Sequence, residues 1–268
     1  MTDVSLFAFI TVTRDGPVTT ITLNRPQVLN ALHPPMHAEL QRAFDSFAAD
    51  PAQKVAILTG AGRAFCAGTD LKYAAAAISE DRQNELGYPP SGYAGLTERH
   101  DLTKPLIAAV NGLALGGGFE IALACDIIIA SEGACFALPE PLVGAVALGG
   151  GVHRLVRQTG LKQAMGILLS GRTVDAAEAQ LLGLVNAIVP SPDMLEEARR
   201  WAAQILRASP AAIRATKQMA LRGMAERDLA TAIAAQSAYP AFQELLRSPD
   251  AREGVEAFAK KREPRWST

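Results

Sequence analysis

The chain has 268 residues, of which 49% are apolar and 20% are charged, and its formal net charge is −1 at pH 7. This composition is typical of a folded globular protein, and the length allows one large domain or two ordinary ones. A net charge so close to zero gives no general attraction for nucleic acid or for an acidic membrane surface.

The cysteines and the first residues indicate the compartment. Cys66, Cys125 and Cys135 show no CxxC spacing and stand among apolar neighbours, which is typical of buried thiols in a reducing compartment. Residues 1–10 lack the basic start and long apolar run of a signal peptide. No stretch reaches the ~18 uncharged apolar residues of a membrane span. We therefore expect a cytoplasmic protein with no nucleic-acid or membrane partner.

The first 190 residues predict alternating strands, glycine turns and helices. Two alternating segments, 10–13 and Val18–Leu23, predict a hairpin, and apolar spacing predicts a helix over Pro34–Ala49. Further strands are predicted at 55–59, Leu106–Val110, 127–130 and 184–189. The first three of these are apolar on both faces, as expected for strands covered by helices on both sides.

The end of the chain predicts helices almost throughout. A capping box, Asp175 with Glu178, predicts the start of a helix that Gly183 ends. Beyond it, helices are predicted at 194–208, 210–222, 228–246 and 250–261. We divide the chain into an α/β core, residues 1–192, and a helical region, residues 193–268, with no linker-like composition between them.

Two glycine loops are the strongest candidates for a functional site. Gly116–Gly118 precede an apolar run, 119–125, which predicts a buried helix with uncovered N–H groups at its start. The other glycine loop, 60–70, comes earlier in the chain and follows the strand at 55–59. We call residues 60–70 the first loop and Gly116–Gly118 the second loop. Loops at the same end of neighbouring strands can each aim one N–H at a common point, as in an oxyanion hole. Neither loop has a phosphate-binding GxxxxGK[ST] or GxGxxG pattern.

Several motifs, taken in order, resemble the enoyl-CoA hydratase/isomerase (crotonase) superfamily. They are ITLNRP at 21–26, NAL at 30–32, AFCAGTDL at 64–71, KPLIAAVNG at 104–112, ALGGGFE at 114–120 and CD at 125–126, with matching residues at 253–262. The resemblance covers essentially the whole chain. It implies a spiral of repeated ββα units with a C-terminal helical region that mediates trimerisation, as a homotrimer or a dimer of trimers.

The resemblance also implies the chemistry. The substrate would be an acyl-CoA thioester whose carbonyl oxygen accepts the N–H groups of Thr69 and Gly117, with coenzyme A as part of the substrate and with no cofactor or metal. The family's two carboxylates correspond to Glu120 and Glu140, which would activate a water for Cβ and deliver a proton to Cα. The helix start predicts that Glu120 is the more easily ionised of the two. The acid and base roles stay undivided because a coupled pair titrates as a unit.

By the same resemblance, a further group of residues would hold the coenzyme A portion. The backbone near Val28 and around the first loop would hold adenine and pantetheine. Two C-terminal residues, from the same or a neighbouring subunit, would approach the nucleotide. The group is Val28, Ala67, Gly68, Asp70, Leu71, Phe258 and Lys261. For Lys261, an ordinary solvated charge is an equal alternative.

Two features depart from the family pattern. Residues 147–151 read ALGGG where many hydratases carry a Pro-Gly-x-Gly-Gly-like turn, so Leu148 could intrude on the water or reshape the acyl pocket. Tyr88 and Tyr93 lie in a segment that lines the acyl pocket in relatives, where they contact a polar or aromatic acyl group or pack within a surface loop.

The sequence therefore predicts an enoyl-CoA hydratase-like lyase. The alternatives are a Δ3-Δ2 enoyl-CoA isomerase, a specialised dehydratase of the carnitinyl type, and a CoA-binding protein without turnover.

Overall fold

The computed structural model describes residues 7–267. Most of the segment considered above as a leader, residues 1–10, lies outside them. The strands are, in order, β1 (Ile10–Asp15), β2 (Val18–Leu23), β3 (Val55–Gly60), β4 (Ala64–Cys66), β5 (Leu106–Val110), β6 (Leu113–Leu115), β7 (Ile127–Ser131), β8 (Cys135–Ala137), β9 (Val174–Asp175) and β10 (Ala187–Val189). The helices are α1 (Pro34–Ala49), α2 (Leu71–Ser79), α3 (Gly117–Ala124), α4 (Gly151–Thr159), α5 (Leu161–Ser170), α6 (Ala176–Leu181), α7 (Met194–Ile205), α8 (Pro210–Gly223), α9 (Leu229–Ala235), α10 (Pro240–Arg247) and α11 (Asp250–Ala259).

The strands form two sheets, to which successive segments of the chain contribute strands in turn. A six-stranded sheet has the order β1-β2-β3-β5-β7-β10, and a four-stranded sheet has the order β4-β6-β8-β9. Strands β3, β5 and β7 pair in parallel in the first sheet, and β4, β6 and β8 do so in the second. Each turn of the chain thus places one strand in each sheet before a helical segment, which confirms the repeated ββα units. The predicted hairpin of β1 and β2 is also confirmed.

The six-stranded sheet is covered on both faces, as its apolar strands predict. On one face the buried residues Ala56, Leu58, Ala108 and Val110 join the main core. On the other face Ile57, Ile107 and Ile129 pack against α7, which contributes Met194, Ala198 and Ala202. The first helix beyond residue 192 therefore completes the packing of the core sheet.

One predicted helix is divided in the structure. The segment 228–246 forms α9, a short 3₁₀ turn and then α10, which begins at Pro240. Proline has no N–H to donate and disfavours helical backbone at the preceding residue. Tyr239 accordingly has an extended backbone with ψ of 136°. The prediction of one continuous helix is wrong for this reason. Within residues 7–267, no helix is long and apolar enough to cross a membrane.

Candidate active site

The two glycine loops leave neighbouring parallel strands at the same edge of the four-stranded sheet. The first follows β4 and the second follows β6, and these strands pair in parallel. The loops touch: a Cβ built on Gly68 would lie 2.7 Å from the Leu115 carbonyl oxygen and 3.2 Å from the Gly117 nitrogen. Gly68 adopts a positive φ of 87°, which a residue with a side chain rarely takes.

The backbone around each loop leaves one amide on either side of this contact without a protein acceptor. Leu32 pairs with the first loop through its N–H to the Gly68 oxygen and through its oxygen to the Asp70 N–H, so the Thr69 amide between them is passed over. Gly117 is the first residue of α3 and has no partner one turn earlier. Among the described residues, neither the Thr69 nor the Gly117 N–H donates a hydrogen bond to the protein. Two amides so placed can receive one oxygen that gains negative charge.

Close packing explains why the second loop consists of glycine. A Cβ on Gly118 would lie 2.0 Å from the Cys66 carbonyl oxygen, and one on Gly117 would lie 2.2 Å from Cζ of Tyr93. The Tyr93 ring is buried, and its hydroxyl lies 3.3 Å from Oγ1 of Thr69. Tyr93 therefore lies between the two loops rather than on the surface, a position that its sequence neighbours do not reveal.

Glu120 projects from the first turn of α3 into the protein and is only 3% exposed. Its Oε1 accepts the Gly151 N–H at 2.8 Å. Side chains on the neighbouring glycines have no room, because a Cβ on Gly149 would lie 2.6 Å from Oε2 and one on Gly151 would lie 2.9 Å from Oε1. The glycine-rich turn after Glu140 thus encloses the Glu120 carboxyl. Leu148 of this turn is 82% exposed and does not point at that carboxyl.

Burial raises the pKa of Glu120 to about 7 against the lowering effect of the hydrogen bond from Gly151, and the charge of Glu140 raises it further. The dipole at the helix start therefore does not keep the pKa of Glu120 at or below its ordinary value. The favourable dipole of a short helix acts on a group that has lost its water, and desolvation is the larger effect.

Glu140 begins a single 3₁₀ turn, Glu140–Val143, and its Oε1 faces the glycine triplet, 3.1 Å from the position of a Cβ on Gly116. Its Oε2 is buried and has no hydrogen-bond partner among the described residues. Burial raises the pKa of Glu140 too. A buried carboxyl oxygen without a partner is costly, so the site is arranged for a proton, a water or a substrate group rather than for stability alone.

The residues predicted to hold coenzyme A fall into two places. Four of them belong to the first loop and the adjoining start of α2: Ala67, Gly68, Asp70 and Leu71. Val28 adjoins this loop, because the next residue, Leu29, accepts the Ala67 N–H. Asp70 caps α2 by accepting the Tyr73 N–H and forms an ion pair with Arg25 at 3.0 Å. Phe258 and Lys261 lie at the end of α11 with exposed side chains. No hydrogen bond or ion pair among the described residues joins them to the first loop.

A pocket of about 150 Å³ opens beside Thr69 between the starts of α1 and α2. Rings line much of it: His33, His37, Tyr73 and Tyr88. Tyr88 was a sequence candidate for the acyl pocket, whereas the two histidines and Tyr73 were missed. The two histidines stand at one helix start, since His33 is the N-cap residue of α1 and His37 lies in its first turn. Among residues 7–267, no group of three or more His, Cys, Asp or Glu side chains is arranged to hold a metal ion.

The fold is shared with solved crotonase-type enzymes. An enoyl-CoA hydratase subunit of Geobacillus kaustophilus matches with a TM-score of 0.87 and 37% identity, over 98% of this chain and 99% of that one. An enoyl-CoA hydratase of Mycobacterium tuberculosis matches with a TM-score of 0.87 and 37% identity, over 97% of this chain and 98% of that one. The architecture is therefore that of the crotonase class of enzymes.

The sequence comparison makes the assignment more specific. The sequence model of the enoyl-CoA hydratase/isomerase family matches residues 13–268, and the chain belongs to this family. A carnitinyl-CoA dehydratase of Salmonella arizonae is 44% identical over 259 residues, which cover 95% of this chain and 96% of that protein. A carnitinyl-CoA dehydratase of Citrobacter koseri is 42% identical over 257 residues, with the same coverage. These relatives are carbon–oxygen lyases, and the chain is an enzyme of this hydratase/dehydratase kind.

Proposed function

We propose that the protein reversibly adds water across the 2,3 double bond of an acyl-CoA thioester. The observation that carries the proposal is the convergence of two unbonded backbone amides, Thr69 and Gly117, with two carboxyls at one edge of a crotonase fold. Glu120 is buried, and Glu140 is half-buried with its Oε2 fully buried. The amides account for activation of the thioester, and the carboxyls account for the water.

The amides stabilise the charge that moves onto the thioester oxygen when Cβ is attacked. The carboxyls then supply both proton transfers. Because burial raises the pKa of Glu120 to about 7, this carboxyl is partly protonated near neutral pH, and the pair can hold one ionised and one protonated member. The ionised member removes a proton from water as the oxygen attacks Cβ, and the protonated member delivers a proton to Cα. Dehydration is the same path in reverse, so both directions use the same two side chains.

Hydration is tested with crotonyl-CoA and longer 2-enoyl-CoAs by following the absorbance of the conjugated thioester. We expect wild-type protein to consume at least one of them, and Glu120→Gln and Glu140→Gln each to lose about 10²–10⁴-fold in kcat. Glu178→Gln is the matched control, because Glu178 is an exposed carboxylate paired with Arg172. Unchanged absorbance with the whole series would argue against hydration.

A carnitinyl-type dehydratase is a second candidate, favoured by the relatives of that name at 42% and 44% identity. It uses the same chemistry on an acyl group that carries a cation.

A Δ3-Δ2 isomerase is a third candidate, and the kinetics of variants separate it from the hydratase and the dehydratase. An isomerase would retain activity in Glu120→Gln and lose it in Glu140→Gln. The presence of both carboxyls disfavours a CoA-binding protein without turnover, which would bind acyl-CoA in calorimetry and convert none.

We also propose that the chain works in the cytoplasm as a homotrimer or a dimer of trimers. Large apolar side chains that are exposed in the single chain support assembly; those of the C-terminal helices are Leu221, Met224, Leu229, Ile233, Leu246, Val255 and Phe258. In an assembly, Phe258 and Lys261 would be free to approach the nucleotide of a neighbouring subunit. Light scattering on the purified protein tests the subunit number, and a monomeric mass would contradict the proposal.

A further inference from the structure

Arg154, in the first turn of α4, contacts the glycine turn that encloses the Glu120 carboxyl. Its Nη1 donates a hydrogen bond to the Gly149 carbonyl oxygen at 3.2 Å. A Cβ on Gly150 would lie 2.1 Å from the same nitrogen, so the guanidinium lies directly against this turn. The turn in its own right donates the Gly151 N–H to Oε1 of Glu120. Three successive glycines therefore connect the guanidinium with the carboxyl.

The same guanidinium also holds the segment that carries Tyr93. Its Nη2 donates to the Thr97 carbonyl oxygen at 2.5 Å, across 57 residues of the chain. The N–H of Thr97 donates in turn to the Tyr93 carbonyl oxygen at 3.2 Å. Since the ring of Tyr93 lies between the two glycine loops, Arg154 joins the turn over Glu120 to the part of the site beside the proposed amide donors.

The positive charge of Arg154 is not neutralised by direct contact with a carboxylate. Both of its side-chain hydrogen bonds go to carbonyl oxygens, and within residues 7–267 it forms no ion pair. Burial lowers the pKa of Arg154, and the charges of Glu120, Cys125 and Glu98 act in the opposite direction. Burial raises the pKa of the Cys125 thiol to about 12, so this thiol is neutral at pH 7, and Glu98 is exposed to screening by solvent. The field of the guanidinium is therefore left to act on Glu120.

Among the described residues, Arg154 is the cation whose charge acts on the Glu120 carboxyl. Burial raises the pKa of Glu120 to about 7, and the charge of Glu140 also raises it, whereas the charge of Arg154 lowers it. Two phenols, Tyr88 and Tyr93, lie within the field of this carboxyl as well. Burial raises the pKa of both phenols above the ordinary value of 10, so they carry no charge near pH 7. Arg154 thus opposes both burial and the second carboxyl.

We infer that Arg154 is a positioning residue for the proposed hydration, which fixes the turn 149–151 over Glu120 and supplies the positive charge that lets one carboxyl of the pair ionise near neutral pH. The inference rests on the proposed function, in which one carboxyl is ionised while the other keeps a proton. Arg154 acts through Glu120 and through the turn. Without the guanidinium, burial and the repulsion between Glu120 and Glu140 would leave a smaller fraction of the pair with an ionised member at pH 7.

The kinetic test is the pH profile of kcat for the 2-enoyl-CoA that wild-type protein consumes fastest. Arg154→Met removes the charge and both side-chain hydrogen bonds but keeps the aliphatic stem. We expect both limbs of its profile to move to higher pH by about one unit, because a carboxyl that loses a neighbouring cation ionises at higher pH. Arg154→Lys keeps the charge and should leave both limbs in place, although one ammonium group replaces the fork that reaches two carbonyls. Arg157→Met is the matched control on α4, because Arg157 is exposed and bonds only the His153 carbonyl oxygen.

A second measurement follows the Glu120 carboxyl without requiring turnover. In protein labelled with ¹³C at the glutamate carboxyl carbon, the Glu120 signal is the one that is absent from Glu120→Gln. Its pH midpoint should rise by about one unit in Arg154→Met and should stay unchanged in Arg154→Lys and in Arg157→Met. Arg154→Gln, which removes the charge but can still donate to a carbonyl oxygen, gives the same test if Arg154→Met does not fold.

An unchanged Glu120 midpoint in the variants that remove the charge would overturn the inference. A loss of kcat that is equal at every pH would also overturn it, because that result describes a structural role alone. The outcome is separable from that of the proposed function. Turnover with an unchanged midpoint would refute the role of Arg154 and leave the hydratase proposal standing. A raised midpoint in a protein that consumes no enoyl-CoA would refute the hydratase proposal and leave the action of Arg154 on Glu120 established.

Discussion

Replacing Glu120 by glutamine should make the protein more stable while impairing its catalysis. Burial raises the pKa of this carboxyl from 4.5 to about 7. A carboxyl whose folded pKa lies above its unfolded pKa favours folding least when it is ionised. Its contribution is therefore most favourable below pH 4.5 and is lost as the pH rises through about 7. At 1.36 kcal/mol per pH unit, the full cost of ionisation is about 3 kcal/mol.

Glutamine keeps the shape and can still accept the Gly151 N–H, but it never ionises. Urea unfolding of wild type and Glu120→Gln at fixed protein concentration measures the difference. We expect the difference in free energy of unfolding, variant minus wild type, to increase by about 2–3 kcal/mol from about pH 5 to about pH 8. Glu178→Gln should show no such gain, because the hydrogen bond from Arg172 lowers the pKa of Glu178. A gain for Glu120→Gln that is the same at both pH values would refute the reasoning.

Three further substitutions test the geometry of the site. Gly149→Ala places a methyl group 2.6 Å from Oε2 of Glu120 and should lower kcat about 100-fold, while Gly133→Ala, with no atom within 4 Å, should leave kcat unchanged. Thr69→Val should keep kcat within about threefold, because the proposed donor is the backbone N–H; a loss as large as that of Glu120→Gln would contradict this. Asn30→Ala removes the hydrogen bonds that the Asn30 amide donates to the Ala61 and Ala64 carbonyl oxygens, and it should lower the free energy of unfolding in urea by about 2–4 kcal/mol. A change near zero would contradict the idea that these hydrogen bonds hold the first loop in place.

Local patterns predicted most of the regular structure because they depend on near neighbours in the chain. The capping box is a good example: the Asp175 side chain accepts the Glu178 N–H, and Gly183 follows α6 with a positive φ of 78°. The helix predicted over 228–246 failed for an equally local reason, since the break at Pro240 was present in the sequence. The apolar spacing continues across it, and periodicity alone does not register the missing N–H.

The properties of Glu120 show where local reasoning ends. The start of α3 favours a negative charge and predicts an easily ionised carboxyl. The opposing effect comes from the turn 149–151 and the surrounding core, which remove water from the carboxyl and raise its pKa to about 7. Those residues are about thirty positions away in the chain, so no window around Glu120 contains the cause.

The amino-acid sequence by itself determined the family, the order of the ββα units and the identity of the candidate carboxyls and amide donors. These depend on residue types at short spacings: three glycines before a helix, a glutamate in its first turn, and a second glutamate twenty residues on. Only the tertiary structure decided that Leu148 faces outward, that Tyr93 lies between the two loops, and that four rings gather beside Thr69. Such contacts join segments that are distant in the chain, and the packing of the sheets and helices brings them together.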